Sequence, residues 1–229
     1  LISIVLQAHG ATYPVPPNRN ATDRIKHAYN LEMLHRSADR SAEQNHGWVF
    51  GLPPGIKPQQ WPLDPITGYP LMHGFTLLLP EDYRCHGPGI VAFSFFATAS
   101  DQNDGGARVR EDLRNAVLGT GSKPSDPGLA VFWQHAQSSH SRLHRMRDIL
   151  DYEYAVILLT QGEFDGPLCQ PPRIIPNENL AAIAPPKWLS VGSAAEFWQS
   201  SGASAGSLPI IDYFSYRLLG AVPDGTLEW

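Results

Sequence analysis

The chain has 229 residues, 42% hydrophobic and 17% charged, with a net charge of −5 at pH 7. That balance excludes a disordered chain and offers no basic surface for nucleic acid. The length suits one large domain, 1–229, whose core needs no metal or disulfide staple, and 21 prolines with 20 glycines point to many ordered turns.

Leu1 to Leu6 reads as a strand rich in branched aliphatics. It has neither the basic start nor the cleavage site of a signal peptide, and no apolar run approaches the ~18 residues of a membrane span. The expected compartment is the cytoplasm, or the periplasm if a signal precedes the chain. Tyr13 to Pro17 is an extended linker, and Asn20-Ala21-Thr22 is a glycosylation sequon by pattern. From Thr22 to about Arg40, Ile25, Ala28, Leu31, Leu34 and Ala38 recur at helical spacing, with Asn20 or Thr22 as the cap.

The stretch from Trp48 to Phe96 organises the rest. It runs Gly47-Trp48-Val49-Phe50-Gly51-Leu52-Pro53-Pro54-Gly55, Gln60-Trp61-Pro62 and Gly68-Tyr69-Pro70-Leu71, then the apolar runs Phe75 to Leu79 and Ile90 to Phe96. Proline and glycine give the loop one rigid shape. Trp48 and Trp61 are predicted to be buried and to pin it to a core.

Asp101 to Gly106 is a turn. Arg108 to Leu118 is a short helix closed by Gly119. Leu129 to Leu150 has helical spacing, with Ser138-Ser139 as a break or bend in its middle. Tyr154 to Leu159 reads as a central strand. A Pro-rich coil spans Gly166 to Pro186, with a short strand at Ile174-Ile175. Ser193 to Glu196 is a capping box opening a helix through Trp198, and Pro209 to Tyr216 is the last strand. These elements predict a single α+β domain with a mainly antiparallel, strand-rich core and peripheral helices.

No complete catalytic set emerges. Gly202-Ala203-Ser204-Ala205-Gly206 matches the nucleophile elbow, but a helix precedes it, a strand follows, and no histidine lies downstream of His144. His140 and His144 would share a helix face and could hold a metal, yet a third ligand is missing; Asp148 is the one local carboxylate in register. Asp101 to Asp112 resembles an EF-hand loop, but Gly105 stands where a ligand is needed. Glu163 and Asp165 read as exposed acids of a turn. Cys85 and Cys169 form no Cys-x-x-Cys pair. They are read as two buried free thiols, with one long-range disulfide as the alternative for an exported protein.

The Gly-x-Pro-Pro, Trp-Pro and Gly-x-Pro-Leu elements over 47–96 resemble the lead-in of the YwqG-like family of bacterial proteins. Tyr216-Arg217-Leu218-Leu219-Gly220-Ala221-Val222-Pro223 is similar to that family's leucine-leucine-glycine-tyrosine-proline stretch, with Ala221-Val222 in place of one aromatic residue. The resemblance implies a strand-rich α+β domain. It also implies kinship with suspected immunity proteins of toxin–antitoxin neighbourhoods.

The expectation is therefore a non-enzymatic protein-binding module without a cofactor, an immunity protein neutralising a cognate secreted bacterial toxin. The rival is a metal-dependent enzyme using His140 and His144. Two acidic loops, Asp101 to Asp104 and Glu163 to Asp165, are the predicted partner-binding residues, with Phe164 as a dry anchor.

Overall fold

The computed structural model describes residues 28–34, 46–49, 51–102, 109–148, 152–174, 176, 184–191 and 214–222. Its strands are β1 (Ala28–Leu34), β2 (Gly47–Val49), β3 (Met72–Leu78), β4 (Ile90–Ala97), β5 (Leu143–Arg147), β6 (Glu153–Thr160) and β7 (Phe214–Val222). They form one sheet in the order β1-β7-β2-β3-β4-β6-β5, and every neighbouring pair is antiparallel. The helices are α1 (Glu111–Leu118), α2 (Pro127–Ala136), α3 (Gln161–Phe164) and α4 (Trp188–Val191). The fold is α+β with an antiparallel core and peripheral helices.

Successive strand residues point to opposite faces, and the register sorts them. One cross-strand row carries Trp48, Thr76, Ser94, Ile157 and Leu143 on the same face. All five are buried, as are His73, Phe96 and Ala155 in the next row. The loop from Gly51 to Leu71 covers this face. Trp61 meets Phe96 edge-on at 5.5 Å and stacks on Trp188 of α4 at 6.1 Å, while Trp48 packs on Phe164 of α3 at 5.8 Å. Both indoles satisfy their N–H within the loop: Trp48 Nε1 donates to the Leu52 carbonyl at 3.1 Å, and Trp61 Nε1 to the Leu71 carbonyl at 2.8 Å.

The loop is also tied through its backbone. Gly55 N–H donates to Pro167 O, and Cys169 N–H donates to Pro53 O. Gly55 has φ +69°, and a Cβ there would stand 2.2 Å from the Glu163 carbonyl oxygen, so only glycine permits this approach. Further along, a turn from Asp64 to Tyr69 closes through Gly68 N–H to Asp64 O at 2.7 Å and Asp64 N–H to Tyr69 O at 2.8 Å. Beyond the sheet, α1 and α2 bury Leu113, Ala116, Val117, Leu129 and Phe132 around Leu63 of the loop. Gly119 ends α1 in the left-handed conformation, φ +67°, as its sequence position predicts.

Three expected elements differ. The helix expected over 22–40 contains strand β1 instead, paired with β7 from Ala28–Val222 to Leu34–Ser215, with a bulge between Tyr29 and Leu31. A partner almost two hundred residues away in sequence overrides local periodicity. The helix expected over 129–150 stops at Ala136, and strand β5 follows, so Ser138-Ser139 marks an end and not a bend. Of the last expected strand, residues 209–213 lie outside the described residues, and Phe214 to Tyr216 belong to β7, which runs on to Val222. Ile174 lies in coil, partly buried beside the α1–α2 cluster. Leu1 to Leu6, the sequon, Ser193 to Trp198 and Gly202 to Gly206 lie outside the described residues. No helix among the described residues is long and apolar enough to cross a membrane.

Trp48 and Trp61 are 0% and 1% exposed. Truncating either to Ala leaves a cavity beneath a loop that proline keeps from collapsing, and is expected to cost ~3–5 kcal/mol. Thermal or urea melts of the two variants check this; unchanged midpoints would show that the loop does not depend on them.

Candidate functional site

The residues predicted to meet a partner do not form one patch. Asp101 follows the C-terminal end of β4, and Glu163 follows the C-terminal end of β6. Those strands are antiparallel, with Ile90 opposite Thr160 and Ala97 opposite Tyr154, so the two acidic loops lie at opposite ends of the sheet. Asp101 accepts a hydrogen bond from the Lys187 amide at 2.9 Å. Asp104 lies outside the described residues. Asp165 is exposed and accepts from Gln161 Nε2 at 2.9 Å. Phe164 is buried against Trp48, so it anchors α3 to the core and presents no surface to a partner.

Glu163 is not a free turn acid. Thr160 and Glu163 form a capping box at the start of α3. Thr160 donates its amide to Oε2 at 2.8 Å and its hydroxyl at 2.9 Å. Arg142 Nη2 donates to Oε1 at 2.6 Å and also pairs with Oε2, and His140 Nε2 stands 3.1 Å from Oε1. Burial alone would raise this carboxyl. The donors from Thr160, then His140 and Arg142, outweigh it and hold the pKa at about 2. A carboxylate so held cannot act as a base near neutral pH.

The two histidines of the metal reading are separated by the same fold. His140 is buried in the turn before β5, where its Nδ1 accepts the Arg142 amide at 3.2 Å. The Nε2 proton therefore points at Glu163, and neither nitrogen keeps an available lone pair. His144 lies on β5, opposite Val156, on the other face of the sheet from Leu143. Its ring neighbour is His86, from the β3–β4 connection, at 5.8 Å between centroids. Among the described residues no group of three or more His, Cys, Asp or Glu side chains is placed to hold a metal ion. Cys85 and Cys169 are both free thiols; Cys169 is buried, its thiol pushed up to about 11 by that burial, but Cys85 is exposed, against expectation.

Two further polar sites are internal. His73 Nδ1 lies 3.3 Å from the Gly51 carbonyl, which can only accept, so that nitrogen carries the proton. Nε2 then accepts from Thr76 Oγ1 at 3.0 Å, and Thr76 in turn accepts from Ser94 Oγ at 2.7 Å. The chain is sealed from solvent: His73 is 1% exposed, Thr76 and Ser94 0%. Asp64, equally buried, accepts from Ile66 N–H and the Thr98 hydroxyl. Burial still lifts its pKa above the usual carboxylate value, against those bonds and the charge of Arg145. Both groups hold the covering loop and are sealed from substrate.

What the register leaves facing the other way is different in kind. Val49, Phe75, Phe95, Val156 and His144 form one cross-strand row, and Leu77, Phe93 and Leu158 form the next. Tyr154 and Met146 follow beyond Val156 and His144. Phe75 stacks on Phe95 at 5.0 Å, Phe95 on Tyr154 at 5.7 Å, and Phe93 meets Phe75 edge-on at 5.6 Å. Gly74 makes room, since a Cβ there would come within 3.2 Å of the Phe95 ring. All four rings are half-buried, unlike the sealed aromatics of the loop-covered face. The Tyr154 hydroxyl donates to Asp148 Oδ2 at 3.0 Å, which orients that ring. The alternation of Phe93 and Phe95 with Ala92, Ser94 and Phe96 is a period-two signal that points to this two-faced strand.

Comparison with family models, with curated proteins and with solved structures finds no match.

The Glu163 cluster makes a pH-dependent contribution whose sign is fixed. Its folded pKa is depressed from 4.5 to about 2, so its stabilisation is fully present above 4.5 and is lost as pH falls through 2. Glu163→Gln is expected to destabilise by ~1–3 kcal/mol at pH 7, because Arg142 and His140 lose a charged acceptor. The gap between variant and parent should close on acidification. Urea melts of both proteins from pH 7 to pH 2 check this; a gap constant across the range would contradict it.

Proposed function

We propose that this chain is a non-enzymatic protein-binding module, and that the aromatic face of the sheet is its docking surface. The ladder of Phe75, Phe93, Phe95 and Tyr154 on the face opposite the loop-covered core supports the reading. Aromatic rings held rigid by stacking lose little entropy on binding and dominate interface energetics. Cross-strand stacking also stabilises a sheet, but stability alone is served as well by rings sealed from water. The functional groups on the packed face favour the same reading, since Glu163, His140, His73 and Asp64 are each committed to internal hydrogen bonds.

Within this reading the finer proposal is an immunity protein that neutralises a cognate bacterial toxin. Its support is the sequence resemblance over 47–96 and 216–223. The acidic loops are secondary in it: Asp101 and Asp165 lie at opposite sheet ends and cannot act as one charged patch. The net charge of −5 favours a protein partner over nucleic acid.

The test is a pull-down with the full chain, followed by affinity measurement on the recovered partner. Replacing Phe75 and Phe95 together by Thr keeps β propensity and removes the ladder. This variant is expected to bind roughly 30-fold or more weakly, the scale of a lost hot spot of ~2 kcal/mol. Asp101→Lys with Asp165→Lys should bind nearly as the parent does. Equal binding by the Thr variant, with its melt confirming the fold, would place the interface elsewhere.

A further inference from the structure

We infer that a second copy of this chain is the partner that covers the aromatic face, so that two sheets pack face to face in a twofold-symmetric dimer. This names an occupant for the docking surface proposed above and rests on that reading. The rings lie on β3, β4 and β6, and the sheet continues on both sides of them. Seven strands at ~4.8 Å, rising ~3.3 Å per residue, make a face roughly 30 Å wide and 20–25 Å long. That is about 600–700 Å2 in flat projection, which side-chain relief raises toward the ~800 Å2 that a stable interface takes from each partner. A docked helix is only ~10–12 Å across and would leave most of such a face wet. A second sheet of the same width and twist covers all of it, since aligned sheets pack ~10 Å apart with side chains filling the gap.

The composition of the face selects a copy of itself. No Asp, Glu, Lys or Arg of β2, β3, β4, β5 or β6 points to it, because the register turns Arg145, Arg147 and Glu153 to the packed face. Two copies therefore meet without like charges opposed and without desolvating an ion. The titratable strand residues on the face are neutral at pH 7. Burial, and then His86, lower the His144 pKa, while burial and the bond to Asp148 raise that of Tyr154. The Tyr154 hydroxyl already donates to Asp148, so covering the ring orphans no donor. Interfaces with transient partners are about as polar as the rest of a surface, whereas homodimer interfaces are more apolar and resemble a core cut in half. Rings, aliphatic side chains and the Met146 thioether place this face in the second class. A toxin that uses the same surface would displace the second copy.

Sedimentation equilibrium of the full chain from about 1 to 100 μM tests this across the range in which a specific homodimer forms. The expected mass is twice the 25.2 kDa of the chain. Replacing Phe75 and Phe95 together by Thr should raise the dissociation constant roughly thirtyfold or more. Phe93→Arg, which sets like charges against each other in the dimer, should give a monomer. Val131→Lys, at an exposed position on α2, should leave the dimer intact. Thermal melts identify the variants that fold. A parent that stays monomeric, or folded face variants that still dimerise as the parent does, would overturn the dimer. A monomeric parent whose Thr variant loses a recovered partner would overturn the second copy and leave the docking surface standing. Face variants that alter neither dimer nor partner binding would remove both.

Discussion

The rest of the structure depends on how the loop from Gly51 to Leu71 is held to one face of the sheet. Loops seldom cover cores, because their backbone groups need partners that apolar surfaces do not supply. Here the loop brings its own. Two indole N–H groups satisfy loop carbonyls, and the turn at Asp64 closes on itself. The strand-like contact of Pro53 to Gly55 with Pro167 to Cys169 satisfies the Gly55 amide and the Pro53 carbonyl. Proline lowers the number of donors to be met and cuts the entropy lost on ordering. With those costs reduced, Trp48, Trp61 and Trp188 can contribute their apolar area as net stabilisation.

The polar groups beneath the loop set its position more narrowly than apolar contact could. Ser94, Thr76 and His73 form a single directed chain that ends on the Gly51 carbonyl, at the point where the loop leaves β2. A shift of one residue in the β3–β4 register would put Thr76 and Ser94 on opposite faces of the sheet and leave the Thr76 oxygen without its donor. A buried polar group left without a partner costs about 1–3 kcal/mol, more than a satisfied bond contributes. The chain therefore acts against misregistered alternatives, and it does so at the junction between the central strands and their cover. The Glu163 cluster has the matching role at the other side, fixing α3 so that Phe164 meets Trp48 and the Glu163 carbonyl can lie against Gly55.

Much of this architecture was legible in the sequence, and the limits were physical. The runs at 75–79, 90–96 and 154–159 were readable as strands because apolar, β-branched and aromatic residues cluster between turn signals. Buried Trp48 and Trp61 were readable from their Pro/Gly surroundings. The α1 C-cap at Gly119 was readable from one residue. Strand β1 was not: Ala28, Leu31 and Leu34 fit helical spacing, and the pairing with β7 that decides against it joins opposite ends of the chain. Strand β5 was hidden for a related reason, since Leu143 and Met146 continue the periodicity of α2 across a turn by coincidence of spacing. That coincidence also produced the His140–His144 pair, which the turn dissolves. Glu163 looked like an ordinary turn acid because its partners Arg142 and His140 come from a distant segment. The acidic loops were each visible, but their separation follows only from the direction of β4 relative to β6.

The contrast between the two sheet faces narrows what the protein can do. Along β4 the alternation is between Ala92, Ser94 and Phe96, which are sealed, and Phe93 and Phe95, which keep contact with water. On the sealed side the titratable groups have found permanent partners, and a group with a permanent partner is poorly placed to turn over substrate. The other side carries large rings, one thioether and an imidazole pair at one edge. Such a surface is costly to leave wet, since each ring carries apolar area worth a few kcal/mol when covered. Stacking recovers part of that cost within the chain, between Phe75, Phe95 and Tyr154. The remainder is recovered only when something else covers the face, and it is this unspent part that a binding partner would draw on.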